Sequence, residues 1–146
     1  MNLAWVHIIV VHIPVLGTGL LVYMGLKSVY SLEEKRLKSF YWSSLLVAIF
    51  ASLAYFTGPS TADWVKNSFS NYPQDLVENH ALWGRFGFTI SILSALLGVM
   101  AISNYAQDEP PHKAIPWVLL SIQILLLVLF IYTAHLGGLI RRPDLL

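Results

Sequence analysis

The sequence predicts an all-α integral membrane protein, a four-helix bundle with up-down-up-down topology. Three observations predict it. The chain of 146 residues is 56% hydrophobic and only 12% charged, whereas a soluble domain carries about 25% charged residues. Its mean hydropathy is +0.63. The apolar residues fall into four runs, each close to or above the roughly 20 residues that cross a bilayer. Length and composition together fit one transmembrane domain over residues 1–146.

The first helix is expected at about 3–30, ahead of the polar stretch Ser31-Leu32-Glu33-Glu34-Lys35-Arg36. The second is expected at about 40–57, where Gly58-Pro59 reads as a breaker. The third runs from about 80 to 105 and is closed by Asp108-Glu109-Pro110-Pro111. A fourth, at about 115–139, ends before Arg141-Arg142-Pro143. Two connections are short, so helices one and two, and helices three and four, are expected to be antiparallel neighbours. Residues 58–79 form the long connection, with Trp64, Phe69 and Tyr72 between acidic and proline positions. That mixture predicts a loop on the membrane surface that caps the bundle.

Several function classes drop out on composition. With no cysteine, the chain cannot form disulfides, iron–sulfur clusters, thiolate metal sites or thioether-linked haem. A net charge of +1 gives no polybasic footprint for nucleic acid. The start of the chain lacks a basic region and a small-residue cleavage site, so residues 3–30 read as a retained helix rather than a signal peptide. There is no nucleophile–base set, and no independent catalysis is expected. Lys27, Lys35, Arg36, Lys38 and Lys113 fall on one side, and Lys66, Arg85, Arg141 and Arg142 on the other. The dense Lys35-Arg36-Lys38 cluster places the first side in the cytoplasm, with both termini and the long loop outside.

Four of the five histidines, His7, His12, His80 and His135, then share the outer side. Imidazole in hydrocarbon is expensive without a partner, so four on one level form a candidate ligand set. His7 and His12 are five residues apart, which turns them about 140° from each other and separates them by about 7.5 Å. They cannot chelate one ion together. His112 lies on the other side, beside Pro110-Pro111, and reads as an interfacial polar residue.

Two imidazoles are the usual axial set of low-spin haem, and bundle cores commonly house it. The expected cofactor is therefore haem b, one or two copies, ligated from His7, His12, His80 and His135. Helices one and three are diagonal in such a bundle, so His12 with His80, or His7 with His80, is an expected pair. Arg85, Arg141 and Arg142 are candidate propionate partners, because guanidinium binds carboxylates bidentately. Gly84, Gly87 and Gly98 either admit a porphyrin or permit close helix packing. The expected function is membrane electron transfer with a quinol or an external redox partner. The chain could act alone, as a homo-oligomer or as a subunit of a larger respiratory complex. A copper or zinc site is a second expectation, since imidazole suits both metals. The third is a non-catalytic anchoring or assembly subunit whose histidines bond between helices. Gln123, the strongly polar residue of the last helix, is read as an interhelical hydrogen bond rather than a quinone ligand.

The opening His7-Ile8-Ile9-Val10-Val11-His12-Ile13-Pro14 resembles that of a family of small bacterial membrane proteins, domain of unknown function 2231. His80-Ala81 and Ala134-His135-Leu136-Gly137-Gly138 are similar to its later elements, and the set covers nearly the whole chain. Ile8 and Ile13 depart from the proline and phenylalanine common there, which touches packing rather than ligands. The resemblance implies a four-helix protein of the bacterial inner membrane, with a haem or redox role in some members. In outline the chain is also similar to four-helix cytochromes b.

Overall fold

A computed structural model describes residues 3–68 and 72–142, and these form five α-helices. The first span is α1 (Leu3–Val10) followed directly by α2 (His12–Ser31). Then come α3 (Glu34–Ser68), α4 (Gln74–Ala106) and α5 (Ile115–Arg141). The molecule is an all-α four-helix bundle with four helical segments long and apolar enough to cross a membrane. Its surface supports the same conclusion. Leu16 is 74% exposed, Phe56 70% and Ile9 66%, a pattern that water would penalise and lipid would not. The chain is a multi-pass membrane protein.

Each span packs on its neighbours in sequence, and the first closes the ring on the last. α2 lies between α3 and α5, α4 also lies between α3 and α5, and α1 leans on α3. The first and third spans are thus diagonal across the bundle.

The densest core gathers Leu21, Phe40, Tyr41, Val47, Ala101, Leu119 and Leu120. It sits toward the end that carries the two short connections. Gly98 allows α3 and α4 to meet there. A Cβ at this position would lie 2.7 Å from Ser44 Oγ and 3.0 Å from the Tyr41 carbonyl. At mid-depth Gln123 Nε2 donates to Ser94 Oγ at 2.6 Å across the α4–α5 contact, and both residues are buried. Gln123 is an interhelical hydrogen bond.

Several boundaries differ from the sequence expectation, each for a physical reason. α3 begins six residues before position 40, because the polar stretch is itself a helix start. Glu34 lies in its first turn, where acid suits the helix dipole, and the ion pairs Glu33–Arg36 and Glu34–Lys38 knit that turn together. At Gly58-Pro59 the helix does not break; it continues to Ser68. Pro59 removes the donor for the Tyr55 carbonyl and its ring crowds that carbonyl, while hydroxyls on either side bond nearby carbonyls. Thr57 donates to the Leu53 carbonyl at 2.7 Å and Thr61 to the Thr57 carbonyl at 3.1 Å. On the far side α4 starts at Gln74, whose amide donates to Glu78 at 2.7 Å. The expected surface loop 58–79 is therefore mostly two helical extensions beyond the bundle. Phe69 and Pro143 lie outside the described residues. Finally, Gly137-Gly138 does not cap α5. The helix passes through both glycines to Arg141 without positive φ.

Candidate functional site: a diagonal histidine pair

Five residues after the first histidine a second appears on the same span, and only one of the two can face the bundle. His7 does. Its Nδ1–H donates to the Ala54 carbonyl of α3 at 2.8 Å, with Thr57 Oγ1 at 3.2 Å. His12, turned away by the helical step, is exposed and bonds back to the Ile8 carbonyl of its own span at 2.8 Å. On the third span His80 also turns inward. Its Nδ1–H donates to the Thr133 carbonyl of α5 at 2.9 Å. The two rings meet across the diagonal with centroids 6.4 Å apart and planes at 79°.

The two halves are built alike. In each, a histidine from one span donates to a backbone carbonyl of the next span. A threonine stands in the accepting turn with its hydroxyl bonded one turn back, Thr57 to Leu53 and Thr133 to Leu129. The glycines differ between the halves. A Cβ at Gly58 would meet His7 Cε1 at an ordinary contact distance of 3.7 Å, whereas one at Gly137 would press on His80 Cε1 at 3.1 Å.

A carbonyl can only accept, so each ring carries its proton on Nδ1 and leaves Nε2 as a bare lone pair in the neutral form. Among the described residues no protein group bonds either Nε2. Both rings are half-buried. Ala54 lies 20 residues along α3 and Thr133 18 residues along α5. These positions are roughly 30 and 27 Å from the helix starts, about the thickness of the hydrocarbon core. The pair therefore sits at one boundary of the apolar slab, and α3 and α4 extend beyond it.

The other site residues expected from the sequence do not join this pair. His135 is exposed, as is His12, and no group of three or more His, Asp or Glu gathers among the described residues. The layer of four histidines resolves into one inward pair and two outward side chains, because helical phase sends residues of equal depth in different directions. Arg85 and Arg141 are exposed and pair with no carboxylate among the described residues. Arg142 is exposed at the end of α5. Gly87 packs under Phe130 and Gly98 under Tyr41, so these two serve helix contact rather than a groove. Ala54, Thr57 and Thr133 complete the site. Their sequence signal is faint: a threonine within one turn of a glycine, a spacing that Thr18, Thr61 and Thr89 share.

No family model, no curated protein and no solved structure matches the chain. The class defined by fold and site is a multi-pass four-helix membrane protein with one diagonal histidine pair near a membrane boundary.

Proposed function

We propose that the protein is a membrane electron-transfer protein that holds one haem b between His7 and His80. The observation that carries this reading is the pair itself: two neutral imidazoles, each fixed through Nδ1 to a backbone carbonyl, with Nε2 uncommitted. Metal-ligating histidines almost always donate their second ring nitrogen in this way, which sets the tautomer and the ring orientation. Donor number selects among metals. Zinc needs three or four protein ligands, and only two are gathered among the described residues. Iron in a macrocycle needs two axial ligands. His7 and His80, with ring centroids 6.4 Å apart, are the residues that would hold the iron.

When bound, the group supplies one-electron chemistry. The chain's part is to fix both ligands through their Nδ1–H bonds to backbone carbonyls. Arg85 and Arg141, exposed at the same end, are the cations available to propionates. The dense basic cluster at the opposite end supports a reading in which the histidines face the outer side of a bacterial inner membrane. A quinol or an external redox protein is the electron partner there, reached by the chain alone, as a homo-oligomer or within a larger complex.

Copper(I), which His7 and His80 would hold as imidazole ligands, is the second reading. It is favoured because the grooves lined by Tyr23 to Arg36 and by Tyr72 to Leu76 touch no histidine, and a bare ion needs no slot. The test is a reduced-minus-oxidised optical spectrum with metal analysis on protein expressed with ample haem. A Soret band with iron near one per chain is expected. Copper without iron selects the second reading. Neither metal leaves the histidines as interhelical hydrogen bonds in an anchoring subunit and overturns both.

A further inference from the structure

At the end of the bundle opposite the histidines, a groove of about 530 Å³ runs along the last turns of α2 and the start of α3. It is lined by Tyr23, Leu26, Lys27, Tyr30, Ser31 and Arg36. We infer that this groove binds the headgroup of an anionic phospholipid. Two cations reach it with capacity to spare. Lys27 lies 5.7 Å over the Tyr23 ring, and no carboxylate pairs with it among the described residues. Arg36 holds Glu33 through Nε alone, at 2.6 Å, which leaves its Nη groups for a second acceptor. Ser31 Oγ accepts from the Glu33 amide at 3.4 Å, and its own hydrogen is uncommitted among the described residues. A phosphate could take bonds from all three.

The rest of the groove fits the lipid's other end. Tyr23 and Leu26 are 58% and 42% exposed and continue onto the lipid-facing side of α2. Tyr30 stands edge-on to Trp117 at 5.9 Å, an aromatic pair at the depth where such rings anchor a helix to the interface. Cations at the boundary with an apolar wall below match a phospholipid rather than free phosphate. The inference is independent of the metal proposal.

The test is native mass spectrometry of the full chain in neutral detergent, titrated with phosphatidylglycerol or phosphatidylcholine. Wild type should bind phosphatidylglycerol more than tenfold more tightly. Lys27→Gln and Arg36→Gln should each lose about fivefold, and the double variant should lose the preference. Lys113→Gln, at the same end but outside the groove, should keep it. Equal binding of the two lipids by wild type overturns the site. Equal loss in Lys113→Gln overturns it in favour of diffuse charge attraction. Displacement by millimolar inorganic phosphate overturns the lipid as occupant.

Discussion

The two ends of this bundle are held together by different means. At the end with the short connections, large side chains interlock. Phe40, Tyr41, Leu21 and Leu119 are essentially inaccessible, and Gly98 lets α4 settle against the α3 backbone. At the histidine end the contacts are directional. Two rings reach across to carbonyls, threonines bond one turn back, and Gly137 yields space to an imidazole. Close packing between helices in lipid is driven by contact and shape, and it tolerates no added volume. Directional bonds set orientation while contributing little energy each, about 0.6 kcal/mol between membrane helices. The difference teaches that one end supplies stability and the other supplies aim.

Substitutions can test that division, beginning with the most severe. His80→Ala or His7→Ala should abolish the redox spectrum and the bound metal completely, while the purified protein keeps its helical circular dichroism. Loss of helix in parallel would mean the histidine end also carries the fold. Phe40→Ala should do the reverse. It removes a fully buried ring and should cost about 3–5 kcal/mol in a detergent unfolding titration, with the spectrum of the surviving folded protein unchanged. Gly98→Ala places a Cβ against the Tyr41 carbonyl and should cost about 1–3 kcal/mol by the same titration, again with the spectrum intact. Thr57→Val should remove one polar contact to His7. A loss near 1 kcal/mol and a small shift in midpoint potential are expected, and an unchanged potential would remove Thr57 from the site. The double change His12→Ala with His135→Ala should leave spectrum, metal content and stability as in wild type. Loss of metal there would restore the wider ligand layer.

Much of this architecture is legible in the residues, and the exceptions share a cause. Four apolar runs with short polar joints define four spans, and short joints define which spans are neighbours. Depth along a helix is also legible, which is why the four histidines can be assigned to one level. Direction is harder. The 140° step separates His7 from His12, but nothing local to the first span says which faces inward. That choice belongs to Ala54 and Thr57 on another helix, some 50 positions away. Gly58-Pro59 and Gly137-Gly138 mislead for a related reason. Both are punctuation in water, where freed backbone groups can turn to solvent. Inside a membrane bundle the helix is the cheaper state, because lipid offers no partner to backbone groups that leave it. Of the glycines there, only Gly137 lies tight against a ring, and none of them ends a helix.

The Gln123–Ser94 bond has a bearing on the histidines that lie far above it. Ser94 and His80 are 14 residues apart on α4 and fall within about 40° of the same helical face, roughly 21 Å from one another. Each is tied to α5, one through Gln123 and the other through the Thr133 carbonyl. A rod fastened at one point can still swivel, whereas a rod fastened at two separated points on one face cannot. The mid-depth amide thus acts as a lower hinge pin for the helix that carries His80, and the aim of the ring at the boundary is partly inherited from a bond buried near the middle of the bilayer.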